Sequence, residues 1–206
     1  FCSAFPDVDG PFGSMGSFFD LKIEEGSYQA NPPFVANIVE AMAERMNLLL
    51  ARSVQQSGGD GAKEKSSKAA TKKRKGNEAQ AQAGGPAKPM RPLQFVVVIP
   101  HCDAAASTRV VQQAAGLGWE ALRHSPFLTK HLRFKAQEHG YCEGSQHLRP
   151  TRYKTSRFDS SLFVLQNEAA REKWPLSSDV CRELRGAFES RFEAELESRR
   201  AAGGAG

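Results

Sequence analysis

The chain has 206 residues with a net charge of +5, a sequence pI near 9.1 and a mean hydropathy of -0.49. This length allows one domain with a proper core, and the 40% hydrophobic content indicates a folded domain diluted by a polar stretch. No apolar run approaches the roughly 20 residues of a membrane span, and the four scattered cysteines exclude a Cys-x-x-Cys zinc signature.

The positive charge is concentrated in one segment. Residues 52–91 hold ten Lys or Arg against three acidic residues, a net of +7, which leaves −2 for the rest of the chain. This segment has almost no large apolar side chain and cannot offset its ordering entropy by burial. We therefore predict a disordered basic insertion over 51–91. Its run Lys72-Lys73-Arg74-Lys75 fits a nuclear localisation signal, an RNA-attracting patch or a plain solvated linker.

The elements in chain order predict an α/β fold. A Gly-, Phe- and Asp-rich packed loop region over 1–25 precedes a strand from Gly26 to Ala30, and a helix follows from Val35 to Leu50. The β-branched run Gln94–Pro100 predicts a central strand typical of a parallel sheet, and residues 104–122 predict a helix. The apolar stripe on the first helix, which indicates a core face, consists of Val35, Ile38, Val39, Met42, Met46 and Leu49.

The later elements complete half of a sheet. His131–Tyr141 and Ser161–Leu165 predict strands that pair antiparallel, and Ser178–Arg199 predicts the last helix, with Ser177 or Ser178 as N-cap. The predicted fold is the C-terminal half of a doubly wound α/β sheet. We expect the chain to begin inside this domain, with the other half of the sheet upstream of it. The predicted organisation is a core over 1–50 and 92–176, the insertion over 51–91, a C-terminal helix over 177–199 and a tail over 200–206.

The sequence Asn31-Pro32-Pro33-Phe34 follows the first strand and precedes the first helix, where ligands bind in open α/β sheets. The Asn31 side-chain oxygen and the Pro32 carbonyl offer two acceptors for the two N–H bonds of an exocyclic amino group. The prolines hold that carbonyl still, and Phe34 offers a face on which a base can stack. The alternative is a purely structural role, in which prolines end the strand and the phenylalanine packs into the core. The tetrapeptide itself is shared by enzymes that methylate adenine, cytosine and glutamine amino groups.

Several stretches of the chain together resemble one family, the phosphorylated CTD-interacting factor, a cap-specific adenosine N6-methyltransferase. The resemblance covers about 1–50 and 91–175. Its stretches are Cys2–Gly10, Phe12–Ser14, Gly16–Asp20, Asn31–Phe34, Phe95–Pro100, Gly144–His147, Tyr153-Lys154, Leu162–Asn167 and Lys173-Trp174.

The resemblance implies a Rossmann-like class I methyltransferase sheet and a nuclear enzyme. That enzyme would methylate N6 of the 2′-O-methyladenosine beside the mRNA cap, with S-adenosylmethionine as donor and no metal. It implies that Asn31, Pro32, Pro33 and Phe34 are catalytic and border the donor. It also implies that Glu143, Gly144, Ser145, Gln146 and His147 approach capped RNA, although a plain hairpin turn explains those residues equally well.

The chain departs from the family's pattern at three places. Ala36-Asn37 replace acidic residues, His101-Cys102 replace Glu-Trp, and Cys142-Glu143 replace Arg-Ser. These departures leave open an inactive module of the same fold that binds RNA or the RNA polymerase II tail. An amino methyltransferase for DNA adenine or protein glutamine is a further alternative. The family's polymerase-reading WW module is expected outside this chain, and no membrane partner is predicted.

Three smaller groups of residues are further candidates for function or packing. His101 and Cys102 look like a nucleophile pair, but neighbours at a strand end point opposite ways, which argues against catalysis. Trp119 and Trp174 are predicted to be packing residues. Arg149, Arg152, Lys154 and Arg157 form a basic cluster that suits either phosphate contact or an exposed surface.

Overall fold

The computed structural model describes residues 1–57, 89–102, 116, 118–142 and 153–189. The helical elements are α1 (Pro6–Asp9), a 3-10 turn (Gly10–Phe12), α2 (Ala36–Ser57), α3 (helical residues 118–123), α4 (Glu168–Lys173) and α5 (helical residues 178–189). The strands are β1 (Gly26–Ala30), β2 (Leu93–Pro100), β3 (Leu128–Phe134), β4 (Gly140–Cys142), β5 (Tyr153–Thr155) and β6 (Ser160–Gln166).

Four strands form the main sheet, in the order β1-β2-β6-β3. β1 and β2 are parallel, whereas β6 is antiparallel to both β2 and β3. Strands β1, β2 and β3 therefore run in one direction, and β6 is reversed between β2 and β3. The predicted central position of β2 and the antiparallel terminal pair are confirmed. The β-branched run of β2 is typical of a parallel sheet, but the sheet is mixed, because β2 pairs parallel with β1 and antiparallel with β6.

Helices cover both faces of this sheet. Alternate β2 residues, among them Phe95, Val97 and Ile99, face a core shared with α2 and α3. On the opposite face, Val96 and Val98 pack with β3, β6 and the α5 side chains. A strand that is covered on both sides needs apolar residues at nearly every position, which explains the continuous β-branched run. The mixed α/β class is confirmed.

Helix α2 buries most of its predicted stripe. Val39, Met42, Met46 and Leu49 are buried, whereas Val35 precedes the helix and is 48% exposed. The helix continues to Ser57, seven residues beyond the predicted end at Leu50. Residues 51–57 contain neither Gly nor Pro to stop it, so the first turns of the predicted insertion are helical. Residues 58–88 lie outside the described part of the chain.

The single strand predicted over His131–Tyr141 is wrong, because β3 and β4 are separated by a turn over 135–139. Gln137 adopts a positive φ of 64°, and its N–H donates to the Ser156 carbonyl. The buried His139 bonds the Lys135 carbonyl through Nδ1 at 2.7 Å and the Ser160 hydroxyl through Nε2 at 2.7 Å. Because a carbonyl only accepts, Nδ1 carries the proton and fixes the tautomer.

The last described helix starts as predicted. The Val180 N–H donates to the Ser177 hydroxyl at 3.2 Å, which identifies Ser177 as the N-cap. Helix α5 is described to residue 189, and the rest of the predicted helix and tail, 190–206, lies outside the described residues. In the described ranges, no helix has the length and apolar character needed to cross a membrane.

Candidate functional site

The carboxyl ends of β1, β2 and β3 meet at one edge of the sheet. Ala30, the last residue of β1, pairs with Val97, and β2 runs three residues further to Pro100. At the far side, Phe134 ends β3 opposite Ser160. Ligands of open α/β sheets bind outside this edge, so the residues that follow each strand end are the candidates for function.

Asn31–Phe34 lies directly after β1 on this edge and leads into α2. The Val35 N–H donates to the Pro33 carbonyl at 2.8 Å, which closes a three-residue turn around Phe34. The Asn31 side chain is exposed, and the Phe34 side chain is 49% exposed. In the described residues, the Asn31 amide and the Pro32 carbonyl take part in no hydrogen bond. The alternative interpretation of Phe34 as a core phenylalanine does not fit this exposure.

Behind the edge, three aromatic side chains converge on one hydroxyl. The Trp119 indole N–H donates to Ser161 Oγ at 3.0 Å, and His101 Nδ1 and His131 Nε2 lie 2.8 Å and 3.0 Å from it. A hydroxyl has one proton and two acceptor positions, so one imidazole donates to Ser161 and the other accepts from it. The His131 ring also stacks on Phe163, with centroids 4.4 Å apart. The predicted packing role of Trp119 fits this burial.

This cluster keeps His131 neutral. Burial, followed by the charges of His101, Arg123 and Arg133, lowers the pKa of His131 from 6.5 to about 4. His101 and Cys102 are both buried in the cluster region, at 7% and 5% exposure. This burial agrees with the argument against a catalytic nucleophile pair at these two positions.

An ion pair fixes the loop beside the cluster. Arg133 Nη2 lies 2.6 Å from Asp159 Oδ2, and the Ala136 N–H donates to Oδ1 at 2.8 Å. Burial alone would raise the pKa of Asp159, but the Ala136 N–H and the Arg133 guanidinium outweigh it, and the pKa is lowered. The Asp159 carbonyl also accepts the His101 N–H at 2.8 Å. The end of β2 and the turn after β3 are thereby tied together.

The hairpin of β4 and β5 rises from the same edge. Gly140 pairs with Thr155 and Cys142 with Tyr153, so residues 143–152 connect two antiparallel strands. The predicted RNA-approaching residues Glu143–His147, like Arg149 and Arg152, lie outside the described residues. Arg157 is exposed, and Lys154 lies on β5. In the described ranges, no three His, Cys, Asp or Glu side chains are grouped so that they could hold a metal ion.

The amino edge of the sheet carries a second polar centre that the sequence did not single out. The Asn167 side chain accepts the Leu93 and Ala170 N–H groups and donates to Ser53 Oγ and the Arg91 carbonyl. It caps α4 and joins that helix to α2 and β2. Gln166 and Asn167 end the stretch Leu162–Asn167 that contributes to the resemblance. Asn167 therefore has a structural role, at the sheet edge opposite Asn31–Phe34.

Comparisons with known proteins agree with the residue pattern. A family profile described as "Phosphorylated CTD interacting factor 1 WW domain" matches residues 1–58. Two curated relatives, from Homo sapiens and Mus musculus, are each named "mRNA (2'-O-methyladenosine-N(6)-)-methyltransferase". Both are 28% identical over 191 residues, which is 91% of this chain. The predicted resemblance to the phosphorylated CTD-interacting factor family is confirmed.

Two features limit what the similarity to these proteins covers. The chain spans about a fifth of the length of these relatives, 21% of the human protein and 20% of the mouse protein. Residues 1–58 contain no tryptophan, and their described part contributes β1 and α2 to the α/β sheet. They are an integral part of that sheet rather than a separate WW module, despite the description of the matching profile.

Proposed function

We propose that this chain carries the amino-group-binding part of an S-adenosylmethionine-dependent RNA adenosine N6-methyltransferase. The observation that carries the proposal is the position of Asn31–Phe34. The tetrapeptide is exposed, lies at the carboxyl end of β1 and leads into α2. It does so in a chain whose resemblance to cap-specific adenosine N6-methyltransferases extends over most of its length.

The turn geometry supports the proposed binding of an amino group. The Pro33 carbonyl is occupied by the Val35 N–H, so the acceptors that remain are the Asn31 amide oxygen and the Pro32 carbonyl. Two acceptors that hold both N–H bonds of an adenine amino group favour a pyramidal nitrogen and direct its lone pair away from the protein. Because Pro32 and Pro33 have fixed φ angles, little reorganisation accompanies binding.

Phe34 would position the base itself. Its side chain is about half exposed beside the two acceptors, at the edge where an adenine would lie. A flat aromatic face stacks on any base, and each such contact contributes about 1–3 kcal/mol. The stack orients the ring, and the acceptors then select the exocyclic amino group.

S-adenosylmethionine would supply a methyl group on a positively charged sulfur. The residues available to border this donor are Asn31–Phe34. Their hydrogen-bond acceptors are uncharged, which suits both the amino group and the cationic donor. Holding the methyl donor and the amino nitrogen in line can account for a large part of the rate enhancement of methyl transfer. A mixed sheet in which β1, β2 and β3 run in one direction, with helices on both faces, suits a class I methyltransferase. The remaining strands of that sheet would join along the outer edge of β1.

The substrate that we propose is the 2′-O-methyladenosine next to the mRNA cap, as in the names of the two relatives. Residues Glu143–His147, which follow β4 in the sequence, would approach the capped RNA. We further propose a nuclear location, in line with the run Lys72–Lys75. An interaction with the phosphorylated RNA polymerase II tail would use parts of the protein other than those described above.

The test is methyl transfer from labelled S-adenosylmethionine by the intact protein. Substrates are capped and uncapped RNAs that begin with 2′-O-methyladenosine. Asn31→Ala removes one of the two acceptors, and we expect a loss of roughly 100-fold in kcat, since one oriented polar group at a reacting centre contributes about that much. Gln29→Ala, which removes an exposed amide from β1, is the matched control and should leave transfer unchanged.

The outcomes separate the remaining alternatives. N6-methyladenosine that forms only on capped RNA and is lost in Asn31→Ala supports the proposal. Donor binding without transfer to either RNA would instead indicate an inactive module of the same fold. Transfer to DNA adenine or to a glutamine side chain, but not to RNA, would reassign the same motif to another amino group.

A further inference from the structure

We propose that the outer edge of β3 is a track for the RNA phosphates that follow the methylated nucleotide. The inference rests on the proposed RNA substrate and assigns a surface to the part of that RNA beyond the target base. β3 is the last strand of the main sheet, and in the described ranges no strand pairs with its outer side.

Cationic side chains line this edge. Arg133 and Lys135 are exposed on β3 and the turn after it, and Arg123 is exposed on the neighbouring helix α3. The charges of Arg123 and Arg133 both act to lower the pKa of His131 on β3, behind the larger effects of burial and His101. Both guanidinium groups are therefore close enough to His131 to disfavour its charged form. Arg157, exposed in the loop before β6, extends the set beyond the end of β3.

The acidic residues nearby leave the edge positive. Asp159 is engaged by Arg133 at 2.6 Å, so that pair is close to neutral. The three cations Arg123, Lys135 and Arg157 then stand against two exposed acids, Glu138 in the turn after β3 and Glu120 on α3, which leaves a net positive charge. Exposed cations attract a phosphodiester chain by counterion release, which needs no base contact.

The geometry connects this edge to Asn31–Phe34. β3 runs in the same direction as β1, so its end at Phe134 reaches the edge of the sheet from which the tetrapeptide projects. Three strand spacings of about 4.8 Å separate β1 from β3, a distance of about 14 Å. Stacked nucleotides advance about 3.4 Å each, so an RNA whose first base lies at Phe34 would reach β3 about four nucleotides later.

Another explanation for charged residues on an outer strand is that they prevent pairing with other chains. Two features favour an RNA track. The cations continue past the strand to Lys135 and Arg157, where there is no ladder to protect. Arg123 comes from a helix, which cannot take part in edge pairing at all.

The experiment measures the salt dependence of RNA binding by the intact protein. The edge variant is Arg123→Gln with Lys135→Gln, which leaves the Arg133–Asp159 pair intact. The control variant is Lys22→Gln with Arg171→Gln, which removes the same charge from exposed positions at the amino edge of the sheet. The probe is a fluorescent capped RNA of about eight nucleotides, compared with one of about two, because the track begins about four nucleotides from the target.

For the longer RNA, each lost phosphate contact should reduce the slope of log Kd against log salt by about 0.7, or about 1.4 for the edge variant. Between about 50 and 200 mM salt the wild type should then lose roughly sevenfold more affinity than the edge variant. The control variant should follow the wild type, and the shorter RNA should show no difference among the three proteins.

The results distinguish this inference from the proposed function. An unchanged slope in the edge variant overturns the track, and an equal slope change in the control variant does so as well. Aggregation of the edge variant with an unchanged slope would show that the charges only protect the strand. Because binding is measured without methyl transfer, a reduced slope in a protein that methylates no RNA would support the track and overturn the proposed function.

Discussion

Gly118 of α3 lies so close to α2 that a Cβ atom there would stand 2.5 Å from Val39 Cγ1 and 2.7 Å from the Val39 carbonyl carbon. Val39 is in the first turn of α2, five residues after Phe34, and it is fully buried. The backbone of α3 thus packs directly against the start of the helix that follows the candidate motif. Because Asn31–Phe34 leads into this turn of α2, we expect the contact to help position the motif.

Gly118→Ala should therefore destabilise the fold and disturb the motif together. Backbone atoms cannot give way as a flexible side chain can, so α3 and α2 must move apart, at a cost of about 1–3 kcal/mol. We expect a lower denaturant midpoint and reduced methyl transfer. Gly186→Ala is the matched control, because Gly186 is also helical but has open space where the Cβ would lie. It should stabilise the protein by up to about 1 kcal/mol. Equal midpoints for the two variants would contradict the proposed contact.

Local sequence signals predicted the positions where the structure agrees best. The sequence predicts β1 at Gly26–Ala30 because the segment begins at a glycine and two prolines follow one residue after its end, and these are strong local signals. The pairing of β3 with β6 followed from two short apolar strands near the end of a sheet. The place of Asn31–Phe34 followed from the rule that ligands bind at the carboxyl ends of strands.

Long-range contacts account for what the sequence missed. Gly118, Ser161 and Asn167 are single small or polar residues with no local pattern, and their partners lie far away in the chain. Asn167, for example, bonds Ser53 across 114 positions. The break between β3 and β4 was missed because the turn is held by the long-range bond of His139 to Ser160, and Gly140 at its end does not by itself indicate a break.

Asn167→Ala should be among the most destabilising single changes. It would leave the Leu93 and Ala170 N–H groups and the Arg91 carbonyl without their side-chain partner in a region where Asn167 is 1% exposed. Such losses, together with the lost helix cap, should cost about 2–4 kcal/mol in the free energy of unfolding, measured by urea titration.

Asn167→Asp separates the contribution of the side-chain acceptor from that of the two side-chain donors. A carboxylate keeps the acceptors for Leu93 and Ala170 but removes both donors and places a charge near the Arg91 carbonyl, so it should also be destabilising. Asn37→Ala, on an exposed position of α2, should change stability by less than about 0.5 kcal/mol. If Asn167→Ala left the free energy of unfolding unchanged, the hydrogen bonds of the Asn167 side chain would contribute nothing to the stability of the fold.

The buried His131 predicts a pH dependence of stability. Its pKa is about 4 in the fold and 6.5 as a reference, so between these values the unfolded chain binds a proton that the folded chain does not. Stability should therefore fall as the pH is lowered from 6.5 to about 4. Because the ring is partly exposed, solvent screening reduces the effect to about 1–2 kcal/mol. The lowered pKa of Asp159 adds a loss in the same direction at lower pH.

His131→Phe should flatten this profile, because phenylalanine retains the stack on Phe163 but does not titrate. The measurement is the free energy of unfolding by urea at a series of pH values between about 4 and 7, the range in which histidines titrate. His124→Gln, at a side chain that is 77% exposed, is the control and should leave the slope as in the wild type. A slope that persists in His131→Phe would assign the pH dependence to other groups.

Phe34 offers a test of base stacking that is separate from the test of the Asn31 acceptor. Phe34→Ala should raise KM for RNA and lower kcat, with a combined loss in kcat/KM of roughly 5- to 150-fold, because one base–aromatic stack contributes about 1–3 kcal/mol. Phe34→Tyr keeps the aromatic face and should retain most of the activity. Since the side chain is 49% exposed, both variants should unfold close to the wild-type urea midpoint.

Phe12→Ala is the matched control for Phe34, because it removes a 77% exposed phenylalanine from the 3-10 turn before β1. It should leave RNA kinetics unchanged. If Phe34→Ala lowered activity only in proportion to a loss of folded protein, its ring would be a packing element. If instead the folded variant lost activity and Phe34→Tyr restored it, the ring would act on the base, since only an aromatic face is common to the two active proteins.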